Sequence, residues 1–223
     1  MSVSKKILNL YAGIGGNRKL WDEIDEIEVT AVEWDEDIAS IYQNHFPNDE
    51  VIVTDAHKYL EDHYDDGWDF VWSSPPCPTH SKIRRIHCLA DEEKQGYVKP
   101  KYPNMKLYEE ILFLEGYFEG KFCVENVESW YKPLVKPKKL QRHYFWTNFI
   151  VPKIKLENDK ITGGSGGNID FWEKHFGFDL SNYDLKSKKK QTILRNCVHP
   201  KLGKHILECA FKKKQLSLED IND

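Results

Sequence analysis

Short apolar runs alternate with helix-periodic stretches through the first two thirds of the chain. Residues 6–10 read as a short buried strand, 11–17 as a glycine turn and 18–25 as the helix that follows. Residues 29–33 give a second strand ending on an acid, 35–45 a helix, and 51–53 a third strand ending near Asp55. A fourth strand at 68–72 runs into Pro75-Pro76-Cys77. Helical periodicity over 108–119 then precedes a fifth strand at 122–125. Alternating strand and helix predicts an α/β fold with a parallel sheet. Every chemically suggestive residue falls at a strand's carboxyl end, where open α/β sheets bind ligands.

Beyond residues 143–150, which read as one or two further strands, the composition changes. Thr162-Gly163-Gly164-Ser165-Gly166-Gly167-Asn168 is a glycine-rich loop, and 171–183 is rich in aromatics. These predict a small separate lobe at 149–190. The sheet domain comprises 1–148 and 191–211, including a helix-like stretch at 201–211, and a polar tail covers 212–223. No internal repeat interrupts this plan.

With 223 residues, 40% hydrophobic and 13% aromatic, the chain has material for one sizeable core, which argues against disorder. The five cysteines are odd in number and lack zinc-like spacing. They suggest a reducing compartment rather than a disulfide scaffold or metal site. No signal peptide or membrane span is legible, so a cytoplasmic monomer without metal or membrane attachment is expected. A net charge of -4 argues against blanket nucleic-acid binding, but positive charge is bunched at 82–85, 136–139, 186–190 and 212–214. Each run reads either as a local nucleic-acid contact or as a solvated face.

Cys77 is the sharpest chemical signal. A rigid Pro75-Pro76 entry presents its thiol at a strand's end, where a thiolate is useful as a nucleophile. An isolated cysteine would otherwise read as a small buried hydrophobe. Tyr11-Ala12-Gly13-Ile14-Gly15-Gly16 lets backbone approach a ligand closely and lacks the P-loop pattern, although a structural turn fits equally. Glu33 ends the second strand with a carboxylate that suits a ribose diol. Asp55 suits either an adenine amino group or a helix cap.

In order along the chain stand Tyr11 to Gly16, Glu33-Trp34, Asp55, Pro75-Pro76-Cys77, Glu125-Asn126-Val127 and Arg195-Asn196-Cys197-Val198-His199-Pro200. This series resembles the C5-cytosine-specific DNA methyltransferases, over about residues 7–148 and 191–208. The resemblance implies a Rossmann-like, S-adenosylmethionine-dependent methyltransferase sheet with a small, shortened target-recognition lobe. It implies base flipping and transfer of methyl to C5 of cytosine in DNA, as in restriction-modification. Cys77 would add to C6, Glu125 would donate to N3, and Asn126 would fix the neighbouring loop. Tyr11, Gly13, Gly15, Gly16, Glu33, Trp34 and Asp55 would bind the cofactor, closed over by Asn196 and Val198. Trp34 equally suits core packing.

Substrate contacts are expected from Ser81, Arg84, Arg85, Arg142, Ser165 and Asn168. The family's usual arginine pair appears only as Gln141-Arg142-His143-Tyr144, in ambiguous register, and Arg142 reads as a base or phosphate contact. Pro78 and His80 depart from the usual loop around the nucleophile. His80 reads chiefly as solvent-facing, with a proton shuttle or phosphate contact as alternatives. About forty residues between Asn148 and Gln191 leave little for base readout, so a short or relaxed sequence context is expected. An RNA (tRNA) cytosine C5 methyltransferase and a catalytically silent DNA-binding relative are the competing readings.

Overall fold

The computed structural model describes residues 4–82, 101–156 and 168–212. Its centre is a seven-stranded sheet with the order β3-β2-β1-β4-β5-β7-β6. The strands are β1 (Lys5–Leu10), β2 (Ile27–Val32), β3 (Glu50–Ile52), β4 (Phe70–Ser73), β5 (Lys121–Val127), β6 (Lys138–Leu140) and β7 (His143–Thr147). The first five run parallel, whereas β7 is antiparallel to both β5 and β6. The mixed α/β class read from the sequence is therefore what the chain adopts. The expected strand at 143–150 is β7, and its hairpin partner β6 lies in the Lys/Pro-rich run that sequence reading left unassigned.

Alternation along the central strands separates two apolar layers. Ile7, Val29, Phe70, Trp72, Cys123 and Phe145 face one side, where α6 (Pro200–Phe211) covers them with Leu202, Ile206 and Leu207. Leu8, Leu10, Val71, Val124 and Trp146 face the other. There α2 (Ala56–His63) contributes Leu60 and α3 (Lys106–Tyr117) contributes Leu107, Ile111 and Leu114. Burial on both faces explains why these strands read as continuous apolar runs.

The helix expected over residues 18–25 is absent. Turns and a single 3-10 turn at Trp21–Glu23 stand in its place. Two packing constraints account for this. Arg18 is drawn inward, its Nε and one terminal nitrogen binding the buried Asp49 carboxylate at 2.9 and 2.8 Å, where Tyr42 also donates at 2.7 Å. In addition, α6 passes so close that a Cβ on Gly203 would lie 2.2 Å from the Asn17 carbonyl. The C-terminal helix thus covers the face that a helix after β1 would have used.

The segment expected to stand apart as a lobe shares a core with the sheet domain in its described part. Trp172 and Phe176 of α4 (Ile169–Phe176), with Phe178 and Leu180, join Ile193 and Leu194 of α5 (Ser187–Arg195) in one cluster. That cluster also contains Ile41 and Tyr42 of α1 (Glu36–His45) and Phe46 just after it. No helix among the described residues is long and apolar enough to cross a membrane.

Candidate active site

The strand order turns back between β1 and β4, and it is beyond the carboxyl ends of strands at such a point that sheets of this kind bind ligands. Tyr11 leaves β1 with φ 55°, Gly13 follows at 55° and Gly15 at 83°. A Cβ at Gly13 would meet nothing within 4 Å, so the turn borders open space there. At Gly16 a Cβ would lie 2.7 Å from the Val198 carbonyl oxygen and 2.8 Å from Cys197 Cβ. Glycine at that position is what lets the C-terminal Asn196-Cys197-Val198 segment close against the turn. Val198 itself is buried in the core, and Asn196 is exposed at the end of α5.

Glu33 is buried and fastens this region. One of its oxygens accepts from the Gly13 amide at 3.0 Å and the other from the Asp35 amide at 3.1 Å. Burial nevertheless pushes its carboxyl above the usual range, with those amide bonds pulling the other way. Trp34 is 74% exposed, so the core-packing alternative fails and its ring is available to a ligand. Asp55 caps α2, accepting from the His57 and Lys58 amides at 2.9 and 3.1 Å through one oxygen. Those bonds hold its carboxyl low, the Lys58 amide foremost.

Sequence reading missed Glu110, a buried carboxylate on α3. Tyr11 donates to its Oε1, which also bonds His57 Nδ1 at 2.9 Å, and Ser73 donates to its Oε2. Burial first, then the Glu110 charge, raises the Tyr11 phenol far above its ordinary value. Glu110 sits one helical turn from Leu107 and Leu114 in an apolar pattern, so it carries no signal by type or spacing.

Beyond β4, the Cys77 carbonyl accepts from the His80 and Ser81 amides, at 2.9 and 3.1 Å, and closes the loop into a turn. The Asn126 amide nitrogen donates to the Pro75 carbonyl at 2.8 Å, tying that loop to β5. His80 is not solvent-facing: it is 1% exposed, its Nδ1 bonds the Tyr131 hydroxyl, and burial lowers its affinity for a proton. Trp130 reinforces the anchor, its backbone amide and indole donating to the His80 and Thr79 carbonyls at 3.0 Å each. Ser81 forms an isolated bridge with Ser129 on the same segment.

The β5–β7 pairing resolves the register that sequence left ambiguous. Glu125 pairs with Phe145 and Val127 with His143, so Glu125 and His143 share a face. Glu125 is 6% exposed and its Oε1 is hydrogen-bonded to His143 Nδ1 at 2.5 Å, while Arg142 Nε donates to His143 Nε2 at 3.2 Å. His143 is a functional candidate that only the strand pairing reveals. The Cys77 thiol is pushed up to about 11, by burial first and by the Glu125 charge second, with Arg142 opposing. Carboxylate and guanidinium thus act on the thiol with opposite sign.

Of the expected substrate contacts, Arg84, Arg85 and Ser165 lie outside the described residues, as does the glycine run at 163–167. Asn168 caps α4, its side chain accepting from the Phe171 amide at 3.2 Å. The lysine runs are partly engaged: Lys82 and Lys139 both pair with Glu128, and Lys189 bridges Asp35 and Asp37.

Residues 5–129 match the family model for C-5 cytosine-specific DNA methylase. Among solved structures, a variant of Spodoptera frugiperda DNMT2 is similar at 25% identity and TM-score 0.35, covering 56% of this chain and 36% of its own. A SAM-dependent methyltransferase from Agrobacterium tumefaciens is similar at 12% identity and TM-score 0.40, covering 59% and 41%. The Entamoeba histolytica methyltransferase EhMeth is similar at 15% identity and TM-score 0.35, covering 56% and 39%. The chain thus spans about two fifths of each of these three. Among curated proteins none matches.

Proposed function

The chain belongs to the C-5 cytosine-specific DNA methylase family, and from that premise we propose that it methylates C5 of cytosine in DNA through a covalent bond from Cys77 to C6. The observation that carries the reading is the Asn126–Pro75 hydrogen bond, which docks the thiol loop onto the strand bearing Glu125. A thiol on the loop after β4 and a buried carboxylate near the carboxyl end of the neighbouring β5 suit a substrate that must be attacked at one atom and protonated at another.

The cofactor of this reading, S-adenosylmethionine, is supported by the open space beside Gly13, the exposed Trp34 ring and the Glu33 carboxylate at the end of β2. Glu33, Trp34, Tyr11 and Asp55 would hold it, with Gly15, Gly16, Asn196 and Val198 shaping the turn and its closure. When bound, it supplies an electrophilic methyl group.

The reactive steps belong to the chain's own residues. As the base seats, the Cys77 thiol gives up its proton to solvent and the Glu125 carboxylate takes one up; the sulfur then forms a bond to C6 as the C5–C6 double bond opens, and the electron density shifted onto the ring is met by the Glu125 proton at N3. Once C5 carries the methyl group, its proton passes to a base, the electron pair left behind re-forms the C5–C6 double bond, the C6–S bond breaks with the Cys77 thiolate as leaving group, and the N3 proton returns to Glu125. The Glu125 charge holds the thiol protonated before substrate arrives, and a base hydrogen-bonded to Glu125 dilutes that charge. Base occupancy thereby favours the thiolate, with Arg142 adding to the effect. Since C6 is stacked inside a duplex, the base must leave the stack to be reached.

The shortened segment between Asn148 and Gln191 supports a short or relaxed target context, with most affinity from phosphate contacts. Methyl incorporation into duplex DNA and into tRNA, measured side by side with labelled S-adenosylmethionine, tests the assignment. Transfer to DNA cytosine that disappears in Cys77→Ser supports it. Transfer to tRNA alone replaces the polymer, and transfer to neither removes the reading.

A further inference from the structure

His143 occupies a place that composition and motif leave without a role. It is buried, lies on the same sheet face as Glu125, and bonds it with one ring nitrogen while receiving a guanidinium hydrogen at the other. A guanidinium has donors only. Nε2 of His143 must therefore be the acceptor, and the ring hydrogen sits on Nδ1, where it donates to Glu125 Oε1. A carboxyl hydroxyl is a poor acceptor compared with a carbonyl or carboxylate oxygen. Any proton on Glu125 is thus directed to Oε2, the oxygen that His143 leaves free.

From this geometry we infer that His143, its tautomer set by Arg142, is the positioning residue that fixes which Glu125 oxygen carries the proton for cytosine N3. The inference rests on the proposed methyl transfer. During attack, the Glu125 Oε2–H bond breaks as N3–H forms, and the carboxylate left behind keeps its bond from His143 Nδ1–H. On release of the product the proton returns along the same path. In this role His143 acts by orientation and by stabilising the carboxylate that appears during the step.

Three variants separate this role from a structural one. His143→Leu removes the donor, and kcat should fall about 10- to 100-fold with KM for S-adenosylmethionine unchanged. His143→Asn places an amide hydrogen near the position of Nδ1–H and should recover to within about 5-fold of wild type. Arg142→Met frees Nε2 and should give a mixture of tautomers. Nitrogen-15 imidazole spectra of the free protein provide a readout independent of turnover. The wild type should show the Nδ1–H tautomer at His143, and Arg142→Met should lose that preference. Equal kcat for the Leu and Asn variants, or the Nε2–H tautomer in the wild-type spectrum, overturns the inference. A wild-type protein with the expected spectrum but no transfer to cytosine in DNA or RNA instead contradicts the proposed function and leaves the bond pattern standing.

Discussion

Asn126 on β5 donates to the Pro75 carbonyl at 2.8 Å, so the strand bearing Glu125 and the loop bearing Cys77 share one buried hydrogen bond. Its Oδ1 meanwhile accepts from the Val127 amide at 3.0 Å, which fixes the orientation of the amide group. Both functions of the amide are used.

Asn126→Ala should leave the Pro75 carbonyl buried without a donor, at a cost of about 1–3 kcal/mol. The loop would then shift relative to Glu125, and misplacement on the ångström scale can slow a positioned reaction by about 100-fold. A thermal melt should show the stability loss, and the rate of adduct formation with 5-fluorocytosine DNA should show the larger effect. An unchanged adduct rate removes Asn126 from the positioning role.

The Cys77 thiol at about 11 lies above the ordinary value of 9.0. Its reactivity toward iodoacetamide in the free protein should therefore keep rising past pH 9, with only about one thiol in a thousand ionised at pH 8. Glu125→Gln removes the negative charge that is the second cause of the rise, so its alkylation midpoint should move down. Arg142→Met should move it up. In turnover, Glu125→Gln should slow methyl transfer by roughly two to four orders of magnitude while retaining cofactor binding. A midpoint unaffected by both substitutions contradicts the electrostatic coupling.

Cofactor binding should be sensitive at Gly16 as well as Glu33. In Gly16→Ala the new Cβ would press on the Val198 carbonyl oxygen and Cys197, pushing away the segment that closes the turn. Overpacking of this kind costs about 1–3 kcal/mol. Glu33→Ala removes the acceptor for the Gly13 and Asp35 amides together with the ribose contact, and the latter is worth about 1.5–3 kcal/mol. Calorimetry should give weaker S-adenosylmethionine binding for both variants. Wild-type affinity for Glu33→Ala rejects the ribose assignment.

Methylation should fall in a context of about two to four base pairs, because each bidentate base contact supplies about 1–3 kcal/mol of discrimination and few candidates exist. DNA affinity should drop steeply with salt. Lys189 and Lys82 are already paired with carboxylates, so their removal should change that slope less than removal of Lys188. Replacing residues 163–168 with a short neutral turn should reduce activity on duplex DNA more than on an unpaired cytosine. Methylation mapped to one long recognition sequence excludes the relaxed context.

The strand framework was legible because parallel strands buried on both faces leave continuous apolar runs, such as Ile7-Leu8 and Phe70-Val71-Trp72. The same rule missed β6, whose edge position leaves Lys138 and Lys139 exposed. The helix expected over 18–25 failed because α6, some 180 residues later, occupies that face, and no local pattern encodes a distant competitor. Cys77, Glu125 and Asn126 were visible as a motif in order. His143 and Glu110 were not, since the role of each depends on a partner brought by strand register or helix packing. His80 looked like a loop residue facing solvent, and only the fold shows Tyr131 and Trp130 enclosing it.

The whole proposed reaction depends on a covalent bond between Cys77 and the cytosine ring. Incubating the protein with S-adenosylmethionine and duplex DNA carrying 5-fluorocytosine, then digesting and weighing the peptides, tests it most directly, because fluorine at C5 cannot leave as the proton does. A nucleotide adduct is expected on the peptide containing Cys77, absent in Cys77→Ser and without cofactor. Methylated product with no adduct, or an adduct on another cysteine, would contradict it.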